Sequence, residues 1–416
     1  MTIPLLVVRL LSIFIIKAKK IITVSKKGTI DHGAMVVQNG KIINIATWEK
    51  ITQKYHQVPV IDCGENIICP SLVDCHTHLL EFAPPSQFPI TKETHLLAGK
   101  AILLDALYAG ITALGEQVCG NPICNLRVSD LKQAVQDVPM DISFAADCLS
   151  IGFQRIIHFS AVTGSTPIPR ENLVNKEVIE DLAVENEYAG ENIFINATPA
   201  NFQKSEVPNA GKLIYSKQEL TTIVSIFHAY GKQIGAHAAG EQGIQLALES
   251  GFDVLHHAHG ITDSQIERAA RQNMKVVVTP LGGTYLEPNS LEEILKLVNA
   301  HITVSISTDA FLPPYEKNAV ALSNDRKTVM GPEALMAIAH PYMKGMLANG
   351  YNENDALALI TRNPAKVLGK EKQFGSLEAG KDANFLVAEG IPGIDIINPS
   401  KIKAVYFQGG KVVSRL

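Results

Sequence analysis

The middle of the chain alternates apolar runs of strand length with stretches of helical periodicity, and no other feature limits the possible folds as strongly. The apolar runs cover 71–78, 111–118, 141–148, 192–199, 233–240, 253–260, 275–281 and 302–310. Helix-period stretches such as 221–231 and 241–251 lie between them. Strands that alternate with helices form parallel sheets, because a parallel connection needs a long crossover. Eight such units are what a closed (β/α)8 TIM barrel requires, so the pattern predicts an α/β fold of that kind.

Both ends of the chain are predicted to be short β segments joined by turns. Residues 12–24 have the composition of a strand, and Asn39-Gly40 is the typical two-residue turn of a hairpin. Near the C-terminus, Gly409-Gly410 predicts a second hairpin. We therefore expect a small β module and a barrel, formed respectively by residues 1–66 with 372–416 and by residues 67–371.

The composition excludes several classes of protein. Of the 416 residues, 46% are hydrophobic and 19% are charged, which is enough for a large core and argues against disorder. The net charge is −4 and no run of Lys or Arg stands out, so nucleic acid is not expected as a partner. The six cysteines include no CxxC pair, which favours a reduced, cytoplasmic protein.

The first 16 residues are largely apolar and raise the question of a membrane segment. The stretch is too short to span a bilayer, and Arg9 interrupts it. Lys17, Lys19 and Lys20 follow it, whereas a signal peptide carries its positive charge in front. We expect residues 1–11 to be an unstructured extension and no membrane partner, with a membrane anchor as the less favoured alternative.

Histidines and one aspartate stand at the ends of several predicted strands. His76 and His78 end the first strand, His237 the fifth, His257 the sixth, and Asp309 the eighth. Residues two apart on a strand point to the same side, so the imidazoles of the His-Thr-His sequence can both face the barrel axis. Imidazole and carboxylate ligands suit zinc or a similar divalent ion. We predict that these five residues bind metal at the end of the barrel where the strands finish.

The sixth strand leaves an alternative open. His257 and His259 share one face by alternation, and either residue fits as the ligand, whereas His256 is expected to point to the opposite face and pack. Asp309 is given a second role as general base. A bound metal lowers the pKa of its water towards about 7, and a carboxylate beside it can take the proton during attack.

Several of these segments resemble the amidohydrolase superfamily, and in particular its prolidase-like and imidazolonepropionase-like branch. PSLVDCHTHL (70–79) is similar to the first signature of the superfamily, and SISTDA (305–310) to the segment with the strand-eight aspartate. The stretch 237–257 resembles the segment that joins two metal-binding histidines in prolidase-like members, and its spacing selects His257. The segment from ITRNPAKVLG (360–369) to FLVA resembles the closing segment of the family.

The resemblance extends from about residue 14 to the end and carries expectations with it. It implies a TIM barrel with a small urease-like β-sandwich domain built from both termini, one or two Zn2+ or other divalent ions, and a homo-oligomer as a possible state. It also implies hydrolysis of a peptide-like or cyclic C–N (amide) bond of a small molecule by metal-activated water. Two other functions stay open, a hydrolytic deaminase of a heterocyclic base and an inactive barrel that serves as a binding or structural subunit.

The sequence departs from the family pattern at two places that bear on the site. Many binuclear members carry a carboxylated lysine where this chain has Asn196, so Glu116 or Cys119 is considered as a replacement ligand and the number of metals stays open. The deaminase branch has a glutamate three residues after the strand-five histidine. Here Glu241 comes four residues after His237, which argues against deamination.

Overall fold

A computed structural model of the chain describes residues 13–80, 92–119, 128–147, 174–196, 211–310 and 331–415. The predicted extension 1–11 and the segments 197–210 and 311–330 lie outside these residues. In the part of the chain so described, no helix is long and apolar enough to cross a membrane.

The strands and the α-helices are each numbered in chain order. The strands are β1 (Ile13–Lys17), β2 (Lys20–Ile22), β3 (Thr29–Asp31), β4 (Gly33–Gln38), β5 (Lys41–Thr47), β6 (Val60–Asp62), β7 (Ile67–Pro70), β8 (Leu72–Thr77), β9 (Ile111–Cys119), β10 (Asp141–Asp147), β11 (Ile193–Phe194), β12 (Gly235–Ala238), β13 (Val254–His257), β14 (Lys275–Val278), β15 (Thr303–Ile306), β16 (Phe385–Ala388), β17 (Ile402–Phe407) and β18 (Gly410–Ser414). The α-helices are α1 (Trp48–Thr52), α2 (Lys92–Tyr108), α3 (Val128–Val135), α4 (Lys176–Glu185), α5 (Lys217–Ala229), α6 (Gly240–Ser250), α7 (Asp263–Arg271), α8 (Leu291–Asn299), α9 (Leu335–Ala348), α10 (Glu353–Leu357) and α11 (Arg362–Val367).

The strands from the two ends of the chain form two sheets. One has the order β5-β4-β1-β6 and the other the order β18-β17-β16-β7-β2-β3. Side chains from both sheets share one apolar core that includes Ile16, Met35, Ile68, Phe385 and Tyr406. Strands from both termini therefore contribute to one β module, as the sequence predicts. Just after the predicted boundary at residue 66, β7 pairs with β2 and β16 and so belongs to this module by its hydrogen bonds.

The two predicted hairpins are both present, and one of them turns a residue earlier than expected. Asn39 and Gly40 have φ of 49° and 78°, which is the left-handed pair that a two-residue hairpin turn requires. In the second hairpin the left-handed pair is Gln408 and Gly409, with φ of 47° and 75°, and Gly410 already starts β18. The predicted Gly409-Gly410 turn is therefore shifted by one residue, because Gln408 adopts the left-handed conformation.

The middle of the chain forms two parallel sheets, with the orders β10-β9-β8 and β11-β12-β13-β14-β15. Every neighbouring pair in them is parallel. All of the predicted central strands are therefore present in chain order, which confirms an α/β fold with parallel sheets. The fourth strand, β11, is reduced to two residues from the predicted 192–199.

Backbone and side-chain contacts join the first and last strands of the two parallel sheets. The His78 amide donates to the Ala310 carbonyl at 2.7 Å, just beyond the ends of β8 and β15. Thr308 donates to the buried Asp74 carboxylate, with 2.6 Å between Oγ1 and Oδ2. At the other junction, between β10 and β11, the Asn192 side chain donates to the carbonyl of Ala146 at 2.9 Å. The two sheets therefore contact each other at both edges.

Capping residues fix where several of the intervening helices begin. Ser216 with Glu219 caps α5, and Thr262 with Gln265 caps α7, each as a reciprocal capping box. These caps come a few residues before the apolar face of each helix, and that face packs into the core. The caps therefore define where these helices begin. The residues between each strand end and the next cap stay available for functional side chains.

Candidate metal centre

The buried carboxylate of Glu191 lies among four histidines from three strand ends. Its Oε1 is 2.5 Å from His237 Nδ1, is in contact with His257 Nε2, and lies 3.5 Å from His76 Nε2. Its Oε2 is 3.6 Å from His78 Nε2. Oε1 therefore faces one histidine from each of the three strand ends, and Oε2 faces the second histidine at the end of β8.

Asp309 completes the cluster from the segment after β15. Its Oδ1 is 3.2 Å from His76 Nε2 and 3.3 Å from His78 Nε2. Ligand atoms of His76, His78 and Asp309 lie within 4.8 Å of one another, and so do those of His76, Glu191 and His257. The five residues predicted from the sequence as metal ligands therefore lie together. They surround Glu191, which was not among those predicted.

A relay of hydrogen bonds sets the tautomer of His76. His256 Nε2 lies 3.0 Å from the carbonyl oxygen of Ala189, which can only accept, so this nitrogen carries the proton. Burial, followed by the neighbouring His76, lowers the pKa of His256 well below its usual range, so its other nitrogen, Nδ1, is an acceptor. His76 Nδ1 is 2.8 Å away and must be the donor. His76 Nε2, the nitrogen left to bind a metal, then faces Asp309 and Glu191.

The same reasoning applies to His257. The Thr279 hydroxyl donates to the carbonyl of Gly282 at 2.5 Å, which uses its only hydrogen. Thr279 Oγ1 is 2.7 Å from His257 Nδ1 and must accept from it. His257 Nε2 is therefore the ring nitrogen that faces the Glu191 carboxylate. Partners of this kind orient metal-binding histidines in many metalloproteins.

The electrostatics of the cluster call for a cation. Burial raises the pKa of the Glu191 carboxyl, but positive charge at His76, His237 and His257 lowers it well below its usual range. In Asp309, too, burial raises the pKa and positive charge at His76 reverses the shift. Because Nδ1 of His76 and of His257 each serves as a donor, Nε2 is the nitrogen of each ring that faces the carboxylates. Among the described residues, His76 Nε2 and Asp309 Oδ2 are buried without a hydrogen-bond partner, so the donor set fits a divalent metal ion.

Neighbouring residues hold Glu191 and His237 in place. The ring of Phe194 stacks on His237 with 4.2 Å between centroids. The amide of Glu191 donates to the side-chain oxygen of Gln117 at 3.1 Å, and Gln117 donates in turn to the Tyr188 hydroxyl at 2.9 Å. Both the carboxylate and the facing imidazole are therefore fixed from behind.

Of the two replacement ligands considered from the sequence, Glu116 does not join the described cluster. Glu116 is buried and accepts from the hydroxyl of Thr77 at 2.7 Å and from the amide of Leu80 at 2.6 Å, so it holds the turn that follows β8. Burial raises the pKa of Glu116 to about 7. The side chain of Cys119 lies outside the described residues.

Asn196 has a structural contact of its own. Its side chain donates to the Ala239 carbonyl at 2.7 Å and accepts from the Ala239 amide at 3.3 Å, which fixes the segment after β12. The carboxylate that faces the histidines comes from Glu191, five residues earlier in the chain. The sequence holds one signal for this residue, since Glu191 follows Gly190 and comes just before a predicted apolar strand. A charged side chain in such a buried segment needs a partner, which points to a role in a site.

The sequence-based placement of His256 is wrong, and the backbone explains why. Alternation predicts that His256 faces away from His257 and packs, but its ring hydrogen-bonds to His76. His257 and Ala258 have φ of 68° and 54°, so the chain leaves the extended conformation at the end of β13 and alternation no longer applies. Between His257 and His259, His257 is the one that contacts Glu191, whereas His259 Nδ1 pairs with Thr284.

His256 should control metal affinity without being a ligand. Replacing it by leucine removes the acceptor for His76 Nδ1, and we expect metal to bind about 10- to 100-fold more weakly. His256→Asn places a side-chain oxygen near the position of Nδ1 and should restore most of the affinity. Titration of the metal-stripped protein with zinc measures both. The matched control is His228→Leu, on α5, where the histidine is exposed and pairs with Asp253. Equal affinities for the asparagine and leucine variants would contradict the relay.

Gly283 makes room for the cluster. Its φ is 109°, and a Cβ there would overlap with the ring of His257 and lie 2.5 Å from Asp309 Oδ2. Gly283→Ala should therefore displace one or both side chains and lower turnover at least about 100-fold, as misplaced catalytic groups do. Gly231→Ala also has a positive φ, but its Cβ would meet nothing within 4 Å, so it serves as the control for backbone strain. Comparable losses in the two variants would show that strain, not the lost space, is responsible.

Comparison with known proteins places the chain among relatives of the same fold. Residues 67–413 match the model of the Amidohydrolase family. The imidazolonepropionase of Geobacillus sp. (strain WCH70) is 21% identical over 395 residues, 86% of this chain and 84% of that protein. A shorter match to the imidazolonepropionase of Pyrobaculum arsenaticum, 38% identical over 74 residues, covers 16% of this chain and 19% of that protein.

A solved structure agrees with this assignment. A Xaa-Pro dipeptidase with bound methionine superposes with a TM-score of 0.71 at 16% identity, covering 96% of this chain and 99% of that chain. At this identity the likeness shows a shared fold. The family model, in contrast, runs from β7 to β18 and includes every residue of the cluster. The chain therefore belongs to the amidohydrolase family and is a hydrolase that acts on carbon–nitrogen bonds.

Proposed function

We propose that this enzyme hydrolyses a cyclic or peptide-like amide bond of a small molecule, and that Glu191 would help to hold two divalent metal ions. The observation that carries the proposal is the position of this carboxylate, with Oε1 against His237 and His257 and Oε2 towards His78. A carboxylate that presents its two oxygens to two groups of imidazoles suits a pair of ions better than a single one. Glu191 would then take the place of the bridging lysine that the sequence lacks.

The ligand set follows from the same geometry. His76, His78 and Asp309 would hold one ion, and His237 and His257 the other. A donor set of imidazole nitrogens and carboxylate oxygens suits zinc, and it also accommodates similar divalent ions. His256 and Thr279 would act from behind by fixing the tautomers of His76 and His257.

The chain's own groups divide the remaining work. When bound, a divalent ion of this kind supplies an acidic water molecule and polarises a carbonyl oxygen. Asp309 Oδ2 is buried and has no hydrogen-bond partner in the described part of the chain, so it is available as a base. It takes the proton that water loses during attack on the carbonyl carbon and passes it to the leaving nitrogen. The amine then departs neutral, and the carboxylic acid is the second product.

The relatives favour an amide over a heterocyclic amine as the substrate. Imidazolonepropionases take their name from a ring that contains an amide, and the dipeptidase from an Xaa-Pro peptide bond. Ring deamination needs an acid beside the strand-five histidine. Glu241 is exposed at the start of α6 and one position too late in sequence, which supports amide hydrolysis.

We also infer that the two parallel sheets close into one (β/α)8 barrel, with the terminal sheets as its β-sandwich domain. The contacts between β8 and β15 and between β10 and β11 support closure at both junctions. Closure would bring all the strand ends that carry the cluster to one mouth of the barrel, where enzymes of this fold place their active sites.

The test combines metal content with a substrate panel. Elemental analysis of the purified enzyme should find two divalent ions per chain. Activity is then measured on cyclic amides such as imidazolones and hydantoins, on Xaa-Pro dipeptides and on N-acyl amino acids, with ammonia release from purines and pyrimidines as the competing reaction. Turnover of an amide class supports the proposal. Ammonia release without amide hydrolysis would replace it by deamination, and a protein that stays metal-free after zinc addition would overturn it.

A further inference from the structure

A cleft of about 830 Å³ lies where the β module meets the helices of the barrel, and no residue of the metal cluster lines it. Its walls are the turn between β2 and β3, the C-terminal half of α9, the start of α10 and the start of α11. Hydrogen bonds join the walls, because the amide of Val24 donates to the Asn354 side chain at 2.8 Å and the hydroxyl of Thr29 to the Glu353 carboxylate at 2.5 Å. The cleft is therefore a built part of the fold.

The carboxylates that line the cleft already have partners within the protein. Glu353 pairs with Lys20, with 3.5 Å between Oε2 and Nζ. Asp355 and Asp395 each accept a hydrogen bond from a backbone amide, at 3.3 Å and 3.0 Å. The charge of one acid is therefore balanced by a lysine, and the other two acids hold turns of the backbone.

Three cationic side chains on the same cleft have no acid of their own. Lys26 lies in the turn between β2 and β3, Lys344 lies on α9, and Arg362 starts α11. Within the described ranges, no carboxylate oxygen comes within 4.0 Å of their nitrogens. The two lysines are exposed and the arginine is half-buried. Positive charge from three separate elements is thus available to a ligand in the cleft.

The guanidinium of Arg362 is held in place but not saturated with acceptors. Its Nη1 donates to the carbonyl of Val24 at 3.2 Å. Its Nε is buried and has no hydrogen-bond partner in the part of the chain that the structure describes. Its electrostatic neighbour Glu378 is bound by Ser376 and Lys381. A fixed guanidinium with N–H groups to spare matches the oxygens of an anion such as phosphate.

We propose that this cleft binds a phosphate-type anion, either inorganic phosphate or the phosphoryl group of a small molecule. Arg362 would donate to its oxygens, and Lys26 and Lys344 would add charge from two other walls. A phosphate carries close to two negative charges at neutral pH, which suits three cations better than a single carboxylate does. Leu347 and Ile394 also line the cleft and would pack against the organic part of a phosphorylated ligand.

The bound anion would connect the two parts of the molecule. Lys26 belongs to the β module, whereas Lys344 and Arg362 belong to the helices beside the barrel. An anion held by all three would stabilise the junction between them. The site does not depend on the proposed amide hydrolysis, because it shares no residue with the metal cluster.

Calorimetric titration of the metal-loaded enzyme with inorganic phosphate tests the site. Arg362→Gln should weaken binding about 10- to 100-fold, as expected for the loss of charge-assisted hydrogen bonds. Arg362→Lys keeps the charge but not the planar fork and should recover part of the affinity. Lys26→Gln combined with Lys344→Gln changes only exposed positions and should weaken binding about 10-fold. Arg271→Gln is the matched control, since this arginine is exposed on α7 and pairs with Glu267 at 3.7 Å.

The same titrations separate the cleft from the metal centre and identify the kind of ligand. Phosphate oxygens are also ligands of divalent ions, so binding that every cleft variant retains belongs to the metal centre. Glycerol phosphate and other small monoesters that bind more tightly than inorganic phosphate would identify a phosphorylated molecule as the ligand. Equal affinities would identify the free anion. Absence of phosphate binding, or equal affinity in the unmodified enzyme, Arg362→Gln and the double lysine variant, would overturn the proposal.

Thermal unfolding gives a second measurement that does not depend on turnover. A ligand that binds only the folded enzyme raises the melting temperature, and at saturation we expect a rise of a few degrees with phosphate. Arg271→Gln should show the same rise, whereas Arg362→Gln and the double lysine variant should show little of it. Circular dichroism without phosphate checks that the variants are folded. A rise of the same size in every variant would assign the effect to the metal centre and contradict the proposed site.

Discussion

Glu191→Gln should reduce the metal content from two ions per chain to one or none and lower turnover by at least about 1,000-fold. The change keeps the shape of the side chain but removes the charge that bridges the two groups of histidines. The amide that replaces the carboxylate beside His237 and His257 carries no charge, so it attracts a cation less strongly. The size of the loss is that of a group which places and activates the nucleophile.

The same variant should respond to a chelator in the opposite way from the unmodified enzyme. Without metal, the charges of Glu191 and Asp309 stay buried with no ion to balance them, whereas glutamine removes one of these charges. A chelator should therefore lower the melting temperature of the unmodified enzyme by several degrees and leave that of Glu191→Gln nearly unchanged. Differential scanning calorimetry with and without zinc measures this difference.

Glu116→Gln is the matched control for Glu191→Gln, because Glu116 is also a buried glutamate near the end of β8. Its hydrogen bonds go to Thr77 and Leu80 and not to the cluster. This variant should keep both metal ions and lose some stability, because Glu116 holds the turn after β8. Loss of metal in Glu116→Gln and retention in Glu191→Gln would contradict the assignment of the bridge.

Asp309→Asn should lower kcat by about 100- to 10,000-fold while the protein still binds metal. Asparagine keeps an oxygen that can face His76 and His78, but it has no basic oxygen to accept the proton from water. The rate that remains should depend less steeply on pH on the acid side, because the group that must be ionised has gone. Steady-state kinetics across pH, together with metal analysis, separates this effect from simple loss of the ion.

Glu241→Gln is the control for Asp309→Asn. This glutamate is exposed at the start of α6, and amide hydrolysis does not need it. Its kcat should be unchanged. A loss as large as that of Asp309→Asn would favour ring deamination with Glu241 as the acid, and a fully active Asp309→Asn enzyme would remove aspartate from the proton transfer.

The sequence predicts the parts of this protein that follow regular periodicity. The central strands and both hairpins appear close to their expected positions, because alternation and Asn-Gly turns depend on local chemistry. His76 and His78 could be paired from their spacing alone, since β8 runs through His76 and ends at Thr77, directly before His78. The ends of the chain were recognisable as β segments, but which strands pair across 300 residues is a matter of tertiary packing.

The parts that were missed depend on breaks in that periodicity. His256 was assigned to the wrong face because His257 adopts a left-handed conformation, with φ of 68°. Glu191 precedes β11, so the rule that ligands lie at the carboxyl ends of strands does not point to it. Asp309, with φ of 53°, is also left-handed, so two of the proposed ligands have backbones that only the surrounding fold can impose.

The short step from β7 to β8 has a practical consequence for anyone who wishes to dissect the enzyme. β7 is hydrogen-bonded to β2 and β16, which come from opposite ends of the chain. Only Ser71 separates β7 from β8, the strand that positions His76 and His78. Trimming either tail would strip a neighbour from β7 and loosen the anchor point of the catalytic histidines. A minimal fragment that spans residues 67–371 should therefore be a poor starting point for engineering, and tags or fusions are better attached beyond β18.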